Sequence, residues 1–222
     1  MAKAPLGSMT KTEIMKLHRW RCSHGHSGIV HYNCWMREHE EGERIGFLDI
    51  EASNLKADFG IMICYCIKDR KTGHIYEDCI TKESMMDGSY DKACLKTCIE
   101  DMKKFDRIVG HYSARFDIPF LRSRAIHHKV KFPEYKDLLH TDTWRMARNA
   151  LCISNNRQDT VARLVSGESA KTRIEGKYWM RALQGDEESI KWILDHCRKD
   201  VHDLQKNFEG LQPYCRMGQG SI

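Results

Sequence analysis

Three short apolar runs stand close together in this 222-residue chain: Ile45–Glu51 (IGFLDIE), Phe59–Ile67 (FGIMICYCI) and His74–Ile80 (HIYEDCI). Each is too short for a typical helix, and polar turn residues such as Thr72-Gly73 separate them, so they read as consecutive strands of an antiparallel meander. After Ile80 the apolar period changes. Ala93, Leu95, Cys98, Ile99, Met102 and Phe105 recur at helical spacing. RIVGH (107–111) reads as a short buried strand. Residues 117–128 read as a helix with Pro119 in its first turn, where a missing N–H costs nothing. KFPEYKDLLHTDTW (131–144) reads as loop with a short strand. Helices are expected at 144–151, 158–165, 187–197 and 201–211. The order β-β-β-α-β-α-β followed by helices describes an α/β domain with a mixed sheet flanked by helices.

The length fits one domain of about 150 residues or somewhat more with a small appendage. We divide it as 1–44, a Cys/His-rich segment; 45–214, the α/β domain; and 215–222, a tail. Residues 1–8 are set aside, because PLGS before Met9 reads as an appended scar. The composition, 41% hydrophobic and 30% charged, excludes a disordered chain. No stretch approaches the ~20 apolar residues of a membrane span, and the N-terminus lacks a signal-peptide core. Ten cysteines fall below the ~8–10% of a disulfide scaffold. Reduced thiols in a cytoplasmic protein are therefore expected. The net charge of +5 permits a polyanionic partner without requiring one.

Asp49 and Glu51 lie two apart in the first strand, so both side chains point to one face while Leu48 and Ile50 point to the other. Two adjacent carboxylates repel unless the strand end reaches solvent or a divalent cation sits between them. Hard oxygen ligands suit Mg²⁺ or Mn²⁺. Asp117 opens a helix, where it could serve as an N-cap or as an acid held against the apolar platform of Phe116, Ile118, Pro119 and Phe120. His196 and Asp200 are four apart on a helix and share a face. They are either a simple helix pair or a general base beside a metal ligand.

FLDIE, then VGHYSARFDIPFL, then HCRKD, in that order from about Ile45 to Leu211, resembles the DEDD 3′–5′ exonuclease superfamily with its RNase H-like fold. The nearest resemblance is to the predicted exonuclease branch of phage and bacterial proteins, which would place the protein in a bacterial or host cytoplasm. The resemblance implies two Mg²⁺ or Mn²⁺ ions held by Asp49, Glu51, Asp117 and Asp200. Asp49 would be shared, Glu51 and Asp200 would serve one ion, and Asp117 the other. His196 would take or orient the attacking water's proton. Two residues depart from the family pattern: three residues separate His196 from Asp200, and Tyr112 stands where asparagine is common. The implied reaction is phosphodiester hydrolysis at single-stranded 3′ ends of DNA or RNA, with an endonuclease or a weakly active binding module as alternatives.

Basic residues near these acids are candidates for phosphate contact: Arg115, Arg122, Arg124, Arg145, Arg148, Arg198 and Lys199. Tyr112, Phe116 and Trp144 could stack on bases or pack in the core. Asp142 could cap a helix or act near the metals. At least one of His202 and Asp203 is expected at the surface. Cys64, Cys66, Cys94 and Cys98 read as small buried residues. In the N-terminal segment, Cys22, His26, His31 and Cys34 form a possible set for one structural Zn²⁺, with His24 as a substitute for His26. The alternative is a basic head with incidental His and Cys.

Overall fold

A computed structural model describes residues 4, 6–39, 43–170, 175–215 and 220–222. In chain order the elements are α1 (Lys11–Arg19), α2 (Tyr32–Glu38), β1 (Ile45–Ala52), β2 (Met62–Asp69), β3 (Ile75–Cys79), α3 (Lys82–Met86), α4 (Lys92–Met102), β4 (Arg107–Gly110), α5 (Asp117–His128), β5 (Leu139–Asp142), α6 (Thr143–Ala150), α7 (Gln158–Ser166), α8 (Gly176–Ala182) and α9 (Glu187–Leu211). The chain divides into two units, Met1–Glu43 and Arg44–Ile222.

The second unit holds a five-stranded sheet ordered β3-β2-β1-β4-β5. The expected meander is present, with β3, β2 and β1 antiparallel neighbours. β4 and β5 then add in parallel. Side-chain alternation along β1 feeds two cores. Ile45 and Phe47 pack with α6–α9 on one face. Leu48 and Ile50 pack with α4 and α5 on the other. Cys64, Cys66, Cys94 and Cys98 are all buried, as their spacing suggests.

Several boundaries differ from the sequence reading. β2 begins at Met62 rather than Phe59, because β1 carries a register shift at Glu51/Ala52 and the chain before Ile61 turns outward, leaving Phe59 exposed. Residues 187–211 form one helix, not two. Its apolar series from Ile190 to Leu211 never loses helical spacing, and Arg198-Lys199-Asp200 contains no helix breaker. Two short helices, α3 and α8, escaped the periodicity test for want of length. The expected tail is also revised. Leu139 and Ser221 form an antiparallel bridge, the His140 N–H donates to the Gly220 carbonyl at 2.8 Å, and Ile222 is buried. Residues 40–42 and 216–219 lie outside those described. No described helix is long and apolar enough to cross a membrane.

In the first unit, α1 and α2 flank a turn in which Arg21 and Ser27 form a bridge. Among its described residues the buried apolar side chains are Leu17 and Cys22.

Candidate active site

The face of β1 that starts apolar turns acidic. Ile45 and Phe47 are buried beneath α9, where Phe47 meets Phe208 edge-on. Asp49 and Glu51 continue the same row toward the strand's C-terminal end and are half-buried. β4 pairs with β1 only as far as Phe47↔Val109. Beyond that point the Ile50 N–H donates to Asp117 Oδ1 at 3.3 Å. Asp117 is buried and stands inside α5, while Phe116 occupies the cap position. The capping role open to Asp117 from sequence is therefore not the one it takes. Its carboxylate reaches the backbone between Asp49 and Glu51.

The loop from β4 to α5 fixes that reach. A Cβ on Gly110 would meet the Ser113 side chain at 2.4 Å, so only glycine lets the loop fold back this tightly. Tyr112 takes a left-handed backbone, φ 59°. Asp142 ties the loop down, accepting the N–H groups of Tyr112 at 2.9 Å and Ala114 at 3.1 Å. It also caps α6 through the Trp144 N–H at 2.9 Å. Both sequence-stated possibilities for Asp142 thus narrow to a cap that doubles as a loop anchor.

α9 closes the site from the other side. One carboxylate oxygen each from Asp49, Glu51 and Asp200 lie within 4.8 Å of one another. The Cys197 thiol, one turn before Asp200, donates to the Asp49 carbonyl at 3.3 Å and pins helix to strand. The Gln158 side-chain amide donates to the Asp200 carbonyl at 2.8 Å. His196 is buried, its ring 4.0 Å from Trp192, which stacks on Tyr178. Full charges at this separation repel by about 3–4 kcal/mol per pair at an effective dielectric of about 20. The donor set is all carboxylate oxygen, which fits a hard divalent cation and relieves that repulsion.

The basic residues divide sharply. Arg115 and Lys199 are exposed. Arg122 and Arg145 line a cleft of about 690 Å³ with His140 and Asn149. Arg198 is paired with Glu77 at 2.7 Å and with Asp195, and the Glu77 hydrogen bond raises its pKa. Arg124 is buried against Asp91, 2.7 and 2.8 Å, beside His128. The expectation of nucleic-acid contact from Arg124 is thereby corrected: its guanidinium holds α5 to the start of α4. Tyr112 is exposed and meets Trp144 edge-on at 5.4 Å, with Arg148 over the Trp144 ring. Phe116 packs toward Phe120. His202 is exposed, whereas Asp203 is buried and accepts from Ser169 and Ala170.

Sequence reasoning missed Cys197, Trp192, Gln158 and Tyr178. Helical spacing from Asp200 and His196 could have found the first two. Nothing local marks Gln158 or Tyr178, which reach the site only through tertiary packing.

In the N-terminal unit one ligand atom each from Cys22, His24, His31 and Cys34 lie within 4.8 Å of one another. His26, placed first in the sequence set, instead lays its ring against His31 at 4.0 Å. His24 takes the position held open for it.

A family model described as the RNase H superfamily matches residues 46–211. No curated protein matches the chain. Among solved structures, the family B DNA polymerase from the hyperthermophilic archaeon Pyrobaculum calidifontis aligns with a TM-score of 0.63 at 20% identity, covering 77% of this chain and 25% of the polymerase. The chain spans about a quarter of that polymerase, and the likeness is one of fold.

Proposed function

Because the chain belongs to the RNase H superfamily, we propose that it is a metal-dependent 3′–5′ exonuclease acting on single-stranded ends of DNA, with RNA as the second substrate. The observation that carries this reading is the meeting of Asp49 and Glu51 on β1 with Asp200, about 150 residues further along the chain, one carboxylate oxygen from each lying within 4.8 Å of the others. Asp117, bonded to the backbone between the first two, supplies the fourth acid.

Asp49, Glu51, Asp117 and Asp200 would hold two Mg²⁺ or Mn²⁺ ions. When bound, such ions neutralise phosphate charge, lower the pKa of water and stabilise the leaving oxygen. The remaining work falls to the protein. His196 sits one turn from Asp200, braced by Trp192, and accepts the attacking water's proton or holds that water in line. Lys199 and Arg115 give the phosphodiester backbone exposed positive charge. Arg122 and Arg145 place further positive charge in the cleft they line. Tyr112, backed by Trp144, offers an aromatic edge for a terminal base.

A digest of 5′-labelled single strands with Mg²⁺ or Mn²⁺ tests the proposal, DNA and RNA in parallel. A ladder that shortens from the 3′ end is the expected result. Scattered internal cuts would make the protein an endonuclease. Binding without cleavage would make it a binding module. His196→Ala should lower kcat about 10²–10⁴-fold and flatten the pH–rate profile on its acid side.

A further inference from the structure

We propose that Cys22, His24, His31 and Cys34 bind one Zn²⁺ as a closed structural site, and that this ion folds the N-terminal unit. The donor chemistry is the first argument. Two thiolates and two imidazoles are the ligand set of a four-coordinate zinc, and no further ligand is needed. The acidic site offers oxygen alone, so the two sites sort hard and borderline cations by donor type.

Local structure brings the four together. The Gly25 N–H donates to the Cys22 carbonyl at 2.8 Å, and the Cys22 N–H to the His26 carbonyl at 3.0 Å. Gly25, at φ 80°, supplies the left-handed residue this turn requires. The turn therefore presents Cys22 and His24 together. His31 stands at the N-cap of α2 and Cys34 one turn later, so both face the same side. The sulfur of Cys22 lies 3.6 Å from His24 Nδ1 and 3.5 Å from His31 Nδ1, and the sulfur of Cys34 lies 4.0 Å from His31 Nδ1. Gly28 packs so closely on α1 that a Cβ would meet Leu17 at 2.8 Å. The turn is thus seated on the helix.

Stability is the second argument. Among the described residues of this unit the buried apolar side chains are Leu17 and Cys22, a very small core. Units of about 40 residues or fewer ordinarily need a disulfide, a metal or oligomerisation to fold, and in small metal domains binding and folding are one event. His26 is a positioning residue here, its ring supporting that of His31.

The full-length chain, made without a histidine tag in zinc-supplemented medium, should carry about one zinc per chain by elemental analysis. Cys34→Ser and His24→Ala should each lose it, and His26→Ala should retain most of it. Since a ligand variant could simply misfold, the wild-type chain is also refolded with Co²⁺. A thiolate-to-cobalt charge-transfer band with the intense d–d bands of tetrahedral cobalt is expected. Chelation should open protease cleavage confined to residues 1–43. Zinc far below one per chain, or an octahedral cobalt spectrum, overturns the site. Zinc kept by His24→Ala but lost by His26→Ala overturns the ligand set.

Discussion

The carboxylate of Asp117 accepts the backbone N–H of Ile50 at 3.3 Å, the residue between Asp49 and Glu51. One side chain therefore closes the sheet where β4 ends and, under the proposed function, would also serve as the fourth acid. The two roles separate by substitution. Asp117→Ala leaves a buried N–H without its acceptor and should cost about 1–3 kcal/mol in urea unfolding. Asp117→Asn keeps an acceptor oxygen and should cost under about 1 kcal/mol. Both should lose metal-dependent cleavage. Wild-type activity in Asp117→Asn would remove Asp117 from the metal set.

Asp49, Glu51 and Asp200 repel one another without a cation. Adding Mg²⁺ or Mn²⁺ should therefore raise the thermal midpoint of the wild type with ion concentration, as any ligand of the native state does. Asp49→Ala and Asp200→Asn should abolish cleavage and lose most of that dependence. Their midpoints in chelator should equal or exceed the wild type, because a like charge has been removed. A metal-free midpoint several degrees below the wild type would show that these acids serve packing instead.

Much of this site was legible because it rests on short-range periodicity. Alternation put Asp49 and Glu51 on one face, and a four-residue helical step put His196 with Asp200. What was not legible depends on tertiary placement. A helical pattern cannot say whether 187–211 is one piece or two. Capping preference cannot foresee that the Asp117 carboxylate turns to Ile50 instead, since that requires the β4–β1 pairing to end at Phe47↔Val109. His24 and His26 are equivalent by spacing, and only the left-handed Gly25 between them decides which faces Cys22. Ile222 gave no signal, because its strand partner is the chain near Leu138, far off in sequence.

The basic residues should divide in solution as they do in space. Arg115 and Lys199 are exposed and lie within two residues of Asp117 and Asp200 in the chain, so replacing either with Gln should lower the slope of log affinity against log salt by about 0.7 for a single strand. Thermal stability should hardly change. Arg124 lies in a buried cluster with Asp91 and His128. Arg124→Ala should cost about 3–5 kcal/mol, because it strands a buried carboxylate, with the salt slope unchanged. A lowered salt slope in a folded Arg124→Gln variant would return this residue to the nucleic-acid surface.

His140 gives the fold a pH dependence of predictable sign. Its ring is half-buried at the wall of the cleft, beside the returning chain end, with Nε2 2.9 Å from Ser113 Oγ. Burial pushes its pKa down to about 4; Asp142 opposes that push, while Arg145 and Arg107 reinforce it. In the unfolded chain the ring titrates near 6.5. Between these two values the unfolded chain binds a proton that the folded chain refuses, so stability rises with pH. The contribution is complete above about pH 6.5 and lost by about pH 4, and it amounts to about 3 kcal/mol. Carboxylates titrate in the lower part of the same window, so the comparison must be with a variant. His140→Gln cannot take up the proton. Urea unfolding of both proteins at half-unit steps from pH 4 to 7.5 should give a shallower fall for the variant, with the difference concentrated between pH 4.5 and 6.5. Parallel curves would mean that His140 titrates alike folded and unfolded, and that the ring is open to water.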